Sequence, residues 1–161
     1  MSKSRVDRKI VIAHYLMAKN RAEQRKGFTN KKLQKLMFYA QAWSLVLNDK
    51  KLIDDKFEAW IHGAAIPALY GRYKKFGFND ISEDFDESEF SVLDAKDKEI
   101  LDLVWEVYGK YDADYLEVLN HSEAPWQKAR QNTSPLKSSN AVISEEEMKR
   151  YYGEKLKSAK N

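Results

Sequence analysis

Apolar residues recur three and four positions apart over long parts of this chain, so the pattern is mainly helical. Ile10, Ala13, His14 and Met17 predict a first helix from about Asp7 to Arg21, with His14 as a satisfied core histidine on its apolar face. A stronger stripe runs through Leu33, Leu36, Met37, Ala40, Ser44 and Leu47, while Tyr39, Trp43 and Val46 add a second apolar face. A helix apolar on two sides belongs at the centre of the molecule. Its start is marked by Thr29 as a cap and by Phe28, spaced to staple onto Leu33.

The period then changes. After a turn at 48–51, KFEAWIH alternates Phe57, Ala59 and Ile61 against Glu58, Trp60 and His62, which predicts an antiparallel strand near 57–62 ended by Gly63. Pro67 suits the first turn of a short helix, Ala68 to Phe76, stopped by Gly77. Residues 78–93 show neither period and read as an exposed acidic loop pinned by Phe85 and Phe90. Asp94 caps a helix carrying Ile100, Leu101, Val104 and Tyr108. Tyr111 and Asp112 open another from Ala113 to Leu119, and Pro125 opens a turn of helix in PWQKAR. After a polar loop, Ser144 and Glu147 have capping-box spacing before Met148, Tyr151, Tyr152 and Leu156, with SAKN expected to fray. The prediction is a mainly α (α+β) single domain over residues 1–161, with a small antiparallel β element.

Composition narrows the chemistry. The chain of 161 residues has no cysteine and only three histidines, none with metal-ligand spacing, so neither a disulfide nor a metal site is expected. No apolar run approaches the roughly 18 residues of a membrane helix, and MSKSRVDRKI lacks the apolar stretch of a signal peptide, which predicts a cytoplasmic protein. The net charge is only +3, but residues 1–35 hold eleven lysines and arginines against two acids, and residues 79–102 hold ten acids against two lysines. Such asymmetry can steer a charged partner or can mark opposed solvated faces.

Phosphate-binding glycine loops and the common hydrolase signatures are absent. His62 and His121 sit near Glu58 and Glu123 in sequence, which leaves a small hydrolase or transferase as a third reading. A nucleic-acid reading would use the basic first helix with Lys31, Lys32 and Lys35, and Tyr39 or Trp43 stacking on bases, but no recognition helix rich in Arg, Asn and Gln stands beside a turn glycine.

Taken together and in order, KLQKL, YAQAW, EAWIHGAAIPALY and LNHSEAPWQKAR resemble the Panacea domain of SocA-like antitoxins and GepA-like phage-associated proteins. The similarity runs from about Val6 to Leu156. It implies an antitoxin that neutralises a toxin protein, encoded next to it, by direct contact, with a bacterial protease as a second partner for members acting as adaptors. It implies no enzyme activity, no cofactor and no nucleic acid. The chain departs from the family pattern at Ala64, usually proline, and at Asn120, usually threonine. Candidate partner contacts are Trp60, His62, Tyr70, Arg72, Tyr73, Trp126 and Arg130. Candidate structural positions are Thr29, Leu33, Gln34, Tyr39, Trp43, Gly63, Pro67, His121 and Pro125, and the EAW-to-PALY corner is expected to meet HSEAPWQKAR. Each candidate contact is also of a type that packs in cores.

Overall fold

The computed structural model describes residues 7–160. Residues 1–6, which include Lys3 and Arg5 of the basic block, Val6 and the first part of MSKSRVDRKI, lie outside the described residues, as does Asn161. The elements are α1 (Arg8–Ala22), α2 (Asn30–Asn48), β1 (Glu58–Trp60), β2 (Gly63–Ala65), α3 (Pro67–Tyr73), α4 (Ala95–Tyr108), α5 (Ala113–His121), α6 (Ala124–Arg130) and α7 (Glu145–Lys160). Two 3-10 turns, Lys74–Phe76 and Glu87–Val92, complete the set. The mainly helical architecture with a small antiparallel β element is the one its periodicity predicts.

Helix α2 is the hub, packing against α4, α5, α7 and the hairpin. Fourteen of its nineteen residues are buried, which is what its two apolar faces require. Its cap is in place, with the Lys32 amide donating to Thr29 Oγ1 at 3.2 Å. Asp94 and Asp97 form a reciprocal capping box on α4, and Asp112 accepts from the Tyr115 amide on α5. The buried polar residues of α2 hold the chain around it. Gln41 Oε1 accepts from the Leu52 and Ile53 amides at 2.9 Å, its Nε2 donates to Ile53 O at 2.7 Å, and Ser44 Oγ donates to Lys50 O at 2.8 Å.

Several expectations need correction. The strand is three residues long rather than six, and Gly63 opens a second strand instead of ending the β element. Gly63, at φ 104°, supplies the positive φ needed to reverse the chain over Ile61 and His62. The helix after Pro67 is α-helical only to Tyr73 and tightens into a 3-10 turn before Gly77. Leu47, placed on the apolar stripe, is 46% exposed at the end of α2. Helix α7 extends to Lys160, so it takes in the first three residues of SAKN.

The acidic segment is not a free loop. His14 is buried on α1 with Nε2 2.8 Å from Glu83 and Nδ1 bonded to Glu89, and its ring stacks on Phe85 at 4.7 Å. Lys19 pairs with Asp102 at 2.7 Å and Arg8 with Asp97 at 2.8 Å. The basic and acidic blocks therefore meet within the fold at these pairs.

Candidate functional site

The β1–β2 hairpin has only two strands, so both outer edges carry backbone groups that need partners. Every one of the groups described next finds its partner in a different element. On the β2 edge, the Ala64 amide donates to Asn120 Oδ1 at 2.7 Å, and the Ala64 carbonyl accepts from Lys35 Nζ at 3.0 Å. Just beyond, the Ile66 amide donates to Gln34 Oε1 at 2.9 Å. On the β1 edge, Ala59 O accepts from Arg130 Nη1 at 2.7 Å, and Trp60 O accepts from Trp126 Nε1 at 2.8 Å. The Ala59 amide and Phe57 carbonyl pair with the strand-like segment at Ala141 and Ile143, both at 2.8 Å. Thus α2, α5 and α6 clamp the EAW-to-PALY corner.

The clamp accounts for most of the aromatic and basic residues singled out in the sequence. Arg130 is 3% exposed; besides Ala59 it reaches Ser134 O and Lys137 O, and its guanidinium lies over the Trp126 ring at 4.8 Å. Trp126 and Tyr73 are also buried, so these three candidate contacts hold the fold. Pro125 is buried at the start of α6. His121 stacks on Trp126 with centroids 4.0 Å apart, and burial lowers its pKa. Beneath lies a tyrosine cluster: Tyr39 and Tyr152 both donate to Glu123 Oε1, at 2.6 and 2.8 Å, Tyr39 stacks on Tyr108, and Trp43 Nε1 donates to the Tyr108 hydroxyl at 2.9 Å. Burial pushes the Glu123 carboxyl up, against the two hydroxyls that stabilise its charge.

Lys35 is the hidden member of the site. Burial lowers its ammonium from 10.5 to about 7, and a Cβ on Gly63 would collide with its Cε. Nothing in KKLQKL distinguishes Lys35 from a solvated lysine; its burial follows from where the hairpin lands on α2.

The remaining candidates face outward. Trp60 and Tyr70 are half-buried and meet edge-to-face at 5.0 Å, with Trp60 Nε1 bonded to Glu58 at 2.9 Å. Arg72 is exposed and pairs with Glu83 at 2.7 Å. His62 has an exposed side chain 3.2 Å from Glu117. Between the hairpin, α3 and the start of α2 lies a cleft of about 300 Å³ walled by Trp60, Ile61, Tyr70 and Ala65. Phe78, which the sequence reading did not single out, stands at its lip and is 96% exposed. An isolated phenylalanine in an acidic loop looks like an anchor for that loop, and only its position shows otherwise.

No hydroxyl nucleophile is hydrogen-bonded to His62 or His121 among the described residues, and no cluster of three metal-ligating side chains occurs among them. The lysines of the nucleic-acid reading are committed elsewhere. Lys31 pairs with Asp114 and Glu117, Lys32 Nζ donates to Gly109 O at 2.6 Å, and Lys35 is buried.

The sequence pattern of the family described as "Antitoxin SocA-like, Panacea domain" matches residues 33–127, more than half of the chain. The chain belongs to that antitoxin-like family. Neither the curated proteins nor the solved structures hold a significant match. The matched stretch runs from α2 through the hairpin into α6, so this Panacea domain includes most of the clamp but not Arg130. Ala64 and Asn120 meet in space. A proline at position 64 would have no amide hydrogen, whereas Ala64 has one and Asn120 accepts it. No helix among the described residues is long and apolar enough to cross a membrane.

Proposed function

We propose that this Panacea-domain protein is a cytoplasmic antitoxin that neutralises a protein toxin by direct contact, without chemistry of its own. The observation that carries the reading is the outer face of the clamped hairpin. A rigid platform presents half-buried Trp60 and Tyr70 and a fully exposed Phe78 around one cleft. Rigid, partly exposed aromatics around a pocket are what protein hot spots are made of, because they bury large area with little loss of conformational freedom. The nucleic-acid alternative loses support because Lys31, Lys32 and Lys35 are paired or buried, and the hydrolase alternative because His62 and His121 have no hydroxyl nucleophile bonded to them among the described residues.

Co-expression with the product of the adjacent reading frame tests this. The expected result is a neighbour that arrests growth alone, is harmless together with this chain, and co-purifies with it at high salt. Recovery of nucleic acid alone, removed by salt, would replace the antitoxin with a regulator. His62→Ala and His121→Ala should leave neutralisation intact if folding is unchanged. A shortened toxin half-life in the presence of this chain, restored by deleting a cellular protease, would add the adaptor role; an unchanged half-life would mean sequestration alone.

A further inference from the structure

The cleft on the outer face contains more polar residues than it offers. Asn30 Nδ2 donates to Tyr70 O at 3.1 Å, Gln34 Nε2 donates to Asn30 Oδ1 at 3.0 Å, and Gln34 Oε1 accepts from Ile66. Lys35 is bonded to Ala64 O, and Lys31 lies between Asp114 and Glu117. The hydrogen-bonding capacity of the floor is thus already committed to holding α3 and the hairpin. A nucleotide, sugar or phosphate would find few free partners there and would lose its own hydration. What remains for an occupant is the apolar wall of Trp60, Ile61 and Tyr70, with Phe78 beside it. A volume of about 300 Å³ lies at the small end of ligand pockets and suits one large side chain.

Charge at the rim says what surrounds that side chain. At the His62 end Lys31 lies between two carboxylates, Asp114 and Glu117, and His62 meets Glu117, so no net positive charge is left there. Glu58 accepts from the Trp60 indole and keeps its negative charge. On the other two sides the lips are Gly77–Phe78 and Ser138–Asn140, and they are preceded in the chain by Lys74, Lys75 and Lys137. These three lysines are exposed and have no carboxylate partner among the described residues. An approaching segment with acidic residues is favoured at these two lips, and a basic one is repelled there.

We propose that the cleft seats one apolar, preferably aromatic, side chain of the toxin, carried on a segment flanked by acidic residues. The identity of the partner as a toxin rests on the reading above, whereas the chemistry of the site does not.

The chemistry is tested with capped pentapeptides added to the full isotope-labelled chain. With Asp-Glu-Phe-Glu-Asp, the Trp60 indole and the His62 and Ser139 amides should shift. Replacing its Phe by Ala, or reversing its charges to Lys-Arg-Phe-Arg-Lys, should weaken binding by about tenfold or more. Phe78→Ser and the double variant Lys74→Glu with Lys75→Glu should each weaken the acidic aromatic peptide by a similar factor. Equal binding of the Ala peptide, tighter binding of the basic peptide, or shifts confined to another surface would overturn the proposal. Dimerisation of the chain that is lost in Phe78→Ser would also overturn it, since a second copy would then fill the cleft.

With the co-expressed neighbour, Phe78→Ser and the cleft-filling Ser138→Trp should each weaken retention at least about tenfold, while Lys157→Glu on the distant α7 should not. If the neighbour is neutralised and neither variant matters, the site is wrong and the antitoxin reading survives. If the neighbour never binds but the peptides behave as stated, the site stands and the antitoxin reading falls.

Discussion

The edges of the hairpin and its outer face use the same residue types to opposite ends. Along the edges, Arg130, Trp126, Lys35 and Asn120 point their polar atoms at backbone groups and disappear from the surface. On the outer face, Trp60, Tyr70 and Phe78 present apolar area that this chain leaves uncovered. The difference lies in demand. A two-stranded sheet has unpaired edges that must be satisfied before burial, and only once they are held can its face be stiff enough to serve a partner.

Substitutions ranked by expected effect break this comparison at successive points. Arg130→Ala should destabilise the protein most, by about 3 kcal/mol in chemical denaturation, since it orphans the buried carbonyl of Ala59 and breaks the part-buried bonds to Ser134 and Lys137. A loss below about 1 kcal/mol would mean that the clamp is not what holds the hairpin. Gly63→Ala should follow at about 2 kcal/mol, through positive φ and collision with Lys35, visible as a lowered melting temperature.

Lys35→Met probes the same contact through pH. The folded pKa of about 7 lies below the unfolded 10.5, so the unfolded chain holds the extra proton between those values. Stability from this site is full above about 10.5, declines as pH falls towards 7, and is constant below. Wild type should therefore gain stability as pH rises through that window, and Lys35→Met should lose that share of the slope. Lys32, whose pKa burial also lowers, adds a contribution of the same sign, whereas the buried tyrosines, whose pKa burial raises, oppose it towards the upper end of the window. Thr29→Ala, away from the hairpin, should cost about 1 kcal/mol for the lost cap on α2. Phe78→Ser should change folding stability least, within about 0.5 kcal/mol, because its ring is 96% exposed. A larger loss there would place Phe78 in the scaffold and remove it from the binding face.

The pairing of the charge blocks carries a related lesson. Eleven basic residues near one end and an acidic run past the middle look like a field for a partner. Folding brings them together at His14–Glu83, Arg8–Asp97 and Lys19–Asp102, so the asymmetry along the chain serves docking of the acidic segment on α1. Exposed lysines that precede the two lips of the cleft, Lys74, Lys75 and Lys137, have no carboxylate partner among the described residues, and no count of composition would select them.

The helices, their caps at Thr29, Asp94 and Asp112, and the centrality of α2 were determined by the sequence itself, because they depend on neighbours within one or two turns. The ordered motif string also specified the family, and the meeting of the EAW-to-PALY corner with HSEAPWQKAR follows from the same string. The burial of Arg130, Trp126 and Lys35, and the exposure of Phe78, were decided only by tertiary structure. Periodicity reports which face of an element is apolar, whereas burial of an isolated polar or aromatic side chain depends on which distant backbone group lies opposite it. At the hairpin those groups lie from 29 to 71 residues away along the chain.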